Sequence, residues 1–258
     1  MLRFRSLGSG SSGNATLIEA ASGPSCTRLL VDCGLGIRQL ERRLGEAGLE
    51  PAQISAIFIT HEHTDHIGCA PSFARRHRIP VWTSVGTWQG AREPDFDGLL
   101  QHARDGELID LGDLQVEPVA VPHDAREPLQ LRCTDGHRHL GVLTDLGHVP
   151  QQVLDRLAGC QSMVLECNHD PDLLQASAYP YFLKRRVGGP MGHLANGDAA
   201  QAARFWQDHG LQQVLAAHLS KQNNTPEMAR EALAQALGCA PQEIAVASPT
   251  QGSAWLEA

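Results

Sequence analysis

The segment Ile54-Ser55-Ala56-Ile57-Phe58-Ile59-Thr60 is a continuous, mostly apolar run that ends directly on His61-Glu62-His63-Thr64-Asp65-His66. Such a run reads as a strand buried on both faces. The four metal-binding side chains that follow, at i, i+2, i+4 and i+5, converge only if the chain turns sharply just past the strand end. His61 and His63 project from the same side of an extended segment, because strand side chains alternate with period two. Asp65 and His66 fall beyond the bend and are placed to serve a second ion. Imidazole nitrogens combined with carboxylate oxygens suit zinc-like or manganese-like divalent cations.

One loop cannot complete two metal sites, so the remaining ligands have to come from other strand ends. Three residues stand directly past apolar runs: His123 after Val116–Val121, Asp145 after Gly141–Thr144 and His218 after Val214–Ala217. A buried charge without a partner is costly in such places. Taken singly, each reads equally well as a capping aspartate or a satisfied core histidine. Beside the 61–66 loop they read as the missing ligands.

The rest of the chain alternates short β-prone runs with helical periodicity. Strands are predicted at Thr16–Glu19, Arg28–Asp32, Pro80–Thr83, Glu107–Asp110, Leu114–Val121, Leu129–Cys133, His139–Thr144, Ser162–Glu166 and Gln213–His218, with a closing strand at Ile244–Ala247. Helices are predicted at Gly36–Gly48, Pro71–His77, Val149–Leu157, Pro180–Val187, Gly197–His209 and Pro226–Leu237. With 258 residues and no low-complexity linker, one α/β domain spanning residues 1–258 is expected, two mixed sheets faced by helices.

Composition narrows the function. The formal charge of −8 argues against a whole-surface grip on nucleic acid, although a local basic patch is compatible with it. Seven cysteines without a C-x-x-C pair suit a reducing compartment. No apolar run approaches the ~18 residues of a membrane helix. The opening Met1–Leu7 breaks into Gly and Ser instead of a secretory apolar stretch. The expected location is therefore the cytoplasm, with no membrane partner.

The loop 61–66 together with His123, Asp145 and His218 resembles the metallo-β-lactamase fold, and the likeness extends from Ser9-Gly10-Ser11-Ser12-Gly13-Asn14 to the closing strand. The resemblance implies a four-layer αβ/βα sandwich with two divalent ions, Zn²⁺ or Mn²⁺, between the sheets. It implies that His61, His63 and His123 bind one ion, that Asp65, His66 and His218 bind the other, and that Asp145 bridges them. Asp32 matches the buried aspartate that supports the ligands. Gly192-His193-Leu194 is similar to a helix-start segment of ribonuclease Z-type phosphodiesterases, in which the histidine assists the leaving group; Glu166 matches its acidic partner. The runs Glu166–Asp170, Tyr179–Tyr181, Leu183–Arg186 and His218–Asn224 are closer to a bacterial group of cytoplasmic 5′→3′ exodeoxyribonucleases encoded beside a cell-wall-regulating two-component system. Ala195 stands where that group usually has serine.

Dinuclear phosphodiester hydrolysis is the expected chemistry, most of all at DNA ends, with Asp65, Glu166 and His193 as catalytic residues. Two cations roughly 3.5–4 Å apart lower the pKa of a shared water toward ~7 and hold the attacking and leaving oxygens. His193, polarised by Glu166, is the expected acid at the leaving oxygen. Lys184, Arg185, Arg186 and Lys221 are candidate phosphate holders, and Asn223 and Asn224 candidate donors to phosphate or sugar. DNA is expected ahead of RNA, and a homo-oligomer is compatible with the sequence. The rival expectation is a small-molecule hydrolase of the same fold, acting on a cyclic phosphodiester or a thioester.

Overall fold

The structure, a computed structural model, describes residues 1–258. The chain opens with an antiparallel meander of β1 (Leu2–Gly8), β2 (Ala15–Ser22) and β3 (Ser25–Val31), followed by α1 (Ile37–Glu46). It continues through β4 (Ala56–Phe58), α2 (Thr64–Ile67), α3 (Ala70–His77), β5 (Val81–Thr83), α4 (Val85–Gly90) and β6 (Leu100–His102). The second half supplies β7 (Ile109–Asp110), β8 (Gln115–Ala120), β9 (Leu129–Thr134), β10 (His139–Leu143), α5 (Gln151–Leu157) and β11 (Ser162–Glu166). Helices α6 (Pro171–Ala176), α7 (Tyr181–Val187) and α8 (Asn196–Gln207) precede β12 (Gln213–Ala217). Finally come α9 (Pro226–Leu237), β13 (Ala245–Val246) and β14 (Leu256–Glu257).

Two seven-stranded sheets result, ordered β14-β1-β2-β3-β4-β5-β6 and β13-β12-β11-β10-β9-β8-β7. Each is antiparallel in one half and parallel in the other: β3 through β6 run parallel, as do β10 through β13. The inner faces meet through Phe4, Ile18, Leu29 and Phe58 from the first sheet and Leu131, Val142, Val164 and Leu215 from the second. On the outer face of the first sheet, Leu30, Ile57 and Val81 pack against Leu40, Leu44 and Phe73 of α1 and α3. On the outer face of the second, Met163, Leu165 and Val214 pack against Val153, Trp206 and Leu233 of α5, α8 and α9. Helix, sheet, sheet and helix thus form the expected four layers. No helix is long and apolar enough to cross a membrane.

The differences from the sequence reading have local causes. Strand β1 was not predicted, yet Leu2 and Phe4 are buried while Arg3 and Arg5 point to the other face, a period-two strand signal. Arg3 is neutralised by Glu19 and stacks on Trp255. The buried run 54–60 holds strand pairing only over β4, because Thr60 and His61 turn away to form the site. The C-terminus does not close on Ile244–Ala247 but returns as β14 to pair with β1.

Ala195 stands at the N-cap of helix α8, and its side chain offers no acceptor to the first-turn amides. A hydroxyl there supplies the missing acceptor, typically worth ~1 kcal/mol. Ala195→Ser is therefore expected to raise the melting temperature by about 2–4 °C. An unchanged or lower value in a thermal scan would show that the hydroxyl does not reach those amides.

Candidate metal centre

The strand ends deliver the site. β3 ends beside β4, and β10, β11 and β12 end side by side across the gap between the sheets. Glu166 is the last residue of β11, and Asp32, His61, Asp145 and His218 lie just past the other ends. Asp32 and His218 both adopt left-handed backbone, with φ of 64° and 53°. Such conformations cost about 1–3 kcal/mol and persist where neighbours over-determine them. Here they are pinned. Asp32 Oδ1 accepts from Thr60 N at 2.9 Å and from Thr60 Oγ1 at 3.0 Å. His218 N donates to Ser9 Oγ at 2.7 Å, and its carbonyl accepts from Asn168 Nδ2 at 2.9 Å.

The bend predicted after His63 is the start of the one-turn helix α2, which swings Asp65 and His66 to the far side of the pocket. Gly34 makes room for this turn: a Cβ at that position would stand 1.7 Å from Asp65 O.

Three imidazoles converge on one point. His61 Nε2 lies 3.1 Å from His63 Nδ1, which lies 3.3 Å from His123 Nε2. Their orientation is set from behind. His61 Nδ1 is 3.0 Å from Thr60 Oγ1, and His123 Nδ1 donates to Gly192 O at 3.0 Å. These contacts leave the Nε2 lone pairs of His61 and His123 aimed at the shared point. Tetrahedral Zn–N bonds of about 2.0–2.1 Å require nitrogen separations of about 3.3–3.4 Å, close to those observed.

A second group gathers His66 Nε2, His218 Nε2 and Asp65 Oδ2, the carboxylate lying 3.7 and 3.6 Å from the two nitrogens. Asp145 stands between the groups, with Oδ2 2.9 Å from His66 Nε2 and Oδ1 3.9 Å from His123 Nε2. All seven predicted ligands therefore share one pocket. Buried Asp145 Oδ2 and His218 Nε2 have no hydrogen-bond partner, a condition rarely tolerated unless something else binds there.

The protonation chemistry fits a cation as well. Burial opposes the charged form of His66, but Asp145 and Asp32 outweigh it and push its pKa up to about 10. Yet Nδ1 is committed to Asp32 at 2.7 Å, and Asn14 presents its amide Nδ2, a donor, to Nε2 at 3.0 Å. The Asn14 amide is oriented by Gly10 N, which donates to its Oδ1. The buried carboxylates of Asp145 and Asp32 thus demand positive charge beside His66, a demand that a divalent ion meets. Burial, reinforced by His66, keeps His61 far below the ordinary histidine range, so it is a neutral ligand.

Glu166 and His193 form the adjoining pair. His193 Nδ1 donates to Glu166 Oε1 at 2.8 Å, and Glu166 Oε2 accepts from the amides of Leu146 and Leu194. Burial disfavours the His193 cation, but Glu166 and Asp145 more than compensate, raising its pKa to about 9. Its Nε2 has no protein partner. Glu166 Oε1 also lies 3.0 Å from His218 Nδ1, so one carboxylate orients both histidines.

The predicted substrate contacts separate. Arg186 lines the 520 Å³ metal cavity and pairs with Asp124. Lys184 and Arg185 face a neighbouring cavity instead. Lys221 is exposed and lines neither. Asn223 and Asn224 are both buried, and neither lines the metal cavity or its neighbour. Asn224 Nδ2 donates to Cys167 O at 2.7 Å and exchanges amide hydrogen bonds with Asn196, an internal brace. Sequence reasoning missed Ser9, Asn14, Thr60 and Asp124. The Ser9–Asn14 segment was noted for its likeness, but its partners, His218 for Ser9 and His66 for Asn14, lie far along the chain.

The fold and this pocket define a divalent-metal-dependent hydrolase. The profile described as Beta-lactamase superfamily domain matches residues 27–219, and the chain belongs to that family. It is 34% identical to exodeoxyribonuclease YycJ of Bacillus anthracis, over 92% of this chain and 89% of that protein. It is 30% identical to exodeoxyribonuclease WalJ of Streptococcus pneumoniae, over 95% of this chain and 91% of that protein. The crystal structure of the metallo-β-lactamase fold protein YhfI from Bacillus subtilis superposes with a TM-score of 0.75 at 16% identity, covering 100% of both chains.

Proposed function

We propose that the protein is a phosphodiesterase that removes nucleotides from DNA ends in the 5′→3′ direction, using two divalent ions, zinc or manganese. The observation that carries this reading is the convergence of seven His and Asp ligands beside a carboxylate-held histidine whose outer nitrogen is free. The relatives named exodeoxyribonucleases support DNA as the polymer. When bound, the metal pair supplies an activated water and neutralises the phosphate oxygens.

The remaining steps belong to the chain. His61, His63 and His123 would hold one ion and Asp65, His66 and His218 the other, with Asp145 between the two groups. Asp65, in the wall of the cavity, also helps orient the attacking water. Asp32 fixes His66 through Nδ1, as Glu166 fixes His218. With Nδ1 committed to Glu166, the transferable proton of His193 sits on Nε2, where the departing oxygen receives it. Arg186 stands at the cavity wall as a phosphate contact. Residues 1–258 act as one unit, since the ligands come from both sheets. Seven free thiols suit a cytoplasmic setting.

The test is purified protein with end-labelled single- and double-stranded DNA and RNA in zinc, manganese or magnesium. DNA ends should be shortened only with metal, and the apparent affinity should fall with salt, by a log–log slope of about 0.7–0.9 per phosphate contact. Equal turnover of a small cyclic diester or thioester, with no salt slope, would favour the small-molecule reading.

A further inference from the structure

Behind His193 lies a second cavity, of 330 Å³, at the small end of the size range of ligand pockets. His193 is the single residue common to its lining and that of the metal cavity. Helix α7 forms much of the partition, and its periodicity divides the side chains between the two. Leu183, Arg186 and Val187 face the metals, whereas Tyr181, Lys184 and Arg185 face the second cavity.

This cavity has the features of a built site. Its wall includes His169, which is buried and whose Nδ1 has no hydrogen-bond partner. Lys184 spends one N–H on Gln175 O at 2.5 Å and keeps two others. Arg185 is exposed and extends over the Tyr181 ring, 5.9 Å from its centroid. Against these two cations stands one carboxylate, Asp198. The first-turn amides of Gly197 and Asp198 at the neighbouring start of α8 have no hydrogen-bond acceptor. Two cations, a helix start, an exposed aromatic ring and a buried unpartnered imidazole together suit a nucleoside monophosphate.

We infer that this second cavity holds the terminal nucleotide of the strand, with its 5′-phosphate on Lys184 and Arg185 and its sugar or base on His169 and Tyr181. The inference rests on the nuclease reading and deepens it. The acid must sit at the leaving oxygen, so whatever lies beyond His193 is the leaving side. For cleavage from a 5′ end, that side is one nucleotide bearing its own phosphate. A pocket of this size, with room for little more than one unit, explains removal from ends instead of internal cutting.

The experiment compares otherwise identical DNA strands carrying a 5′-phosphate or a 5′-hydroxyl, with the wild type, the double variant Lys184→Ala/Arg185→Ala, and His169→Leu. Metal content and melting temperature are followed throughout. The wild type should favour the phosphorylated end by roughly tenfold or more in kcat/KM, the scale of a charge-assisted hydrogen bond. The double variant should lose that preference. His169→Leu should weaken inhibition by deoxyadenosine 5′-monophosphate by about tenfold, the cost of one polar contact to the ligand. Equal rates on both ends, or a preference that survives in the double variant, overturns the inference. So does His169→Leu that melts higher and is inhibited as before, since the imidazole is then only an unsatisfied core group. Absence of any DNA cleavage by the metal-loaded wild type would instead defeat the nuclease reading itself.

Discussion

Replacing His193 with alanine is expected to lower kcat at DNA ends by roughly 10²–10⁴, the usual contribution of a positioned general acid. Bound metal should stay in place. The loss should shrink on p-nitrophenyl phosphodiesters, because nitrophenolate departs without a proton. That contrast separates an acid from a ligand: a His193→Ala protein that has lost metal, or that is equally crippled on both substrates, would sink the assignment. The pH dependence has a definite sign. With a pKa near 9, His193 stays protonated through neutrality and loses its proton as the pH rises past that value. The alkaline fall in kcat should therefore lie near pH 9. It should move to lower pH in Glu166→Gln, which removes the leading favourable charge.

Replacing Asp145 with alanine should be more damaging still. This carboxylate is buried, reaches both ligand groups, and lies 3.1 Å from His218 Nδ1 and 3.2 Å from His193 Nδ1. Burial works against its charge, but His218 and His66 hold its pKa well below the ordinary carboxylate value. Without it, the two ligand groups lose the carboxylate between them and three histidines lose a counter-charge. Activated water at neutral pH depends on the metals, which lower its pKa from ~15.7 to ~7, so turnover should fall by at least about 10⁴. Metal analysis should find less than the wild-type complement. The metal-free fold should also weaken by about 3–5 kcal/mol, the scale for breaking a buried ion pair. Full metal content with activity within tenfold of wild type would remove Asp145 from the centre.

The ease with which the site was read follows the distance over which its chemistry is written. The 61–66 loop was plain because four ligand-type residues follow one apolar run, and the strand end sets their spacing locally. His123, Asp145 and His218 were legible by the same rule applied three more times. Asn224 was harder to place, because a polar side chain looks alike in sequence whether it meets solvent or braces a loop. Here Asn224 finds Cys167 and Asn196, far away in sequence. β1 was overlooked although Leu2 and Phe4 alternate with Arg3 and Arg5, because the partners that neutralise and cover Arg3 lie at positions 19 and 255.

Sequence alone determined the layered α/β plan and the metal-ligand character of the 61–66 loop, since burial periodicity and ligand type are properties of short segments. Tertiary structure alone decided that Ser9 and Asn14 lock the ligands in place, that Glu166 serves two histidines, and that α7 splits the surface into two cavities. Those features depend on which strand ends lie side by side, and that order is set by the packing of two sheets whose pairings span the whole chain.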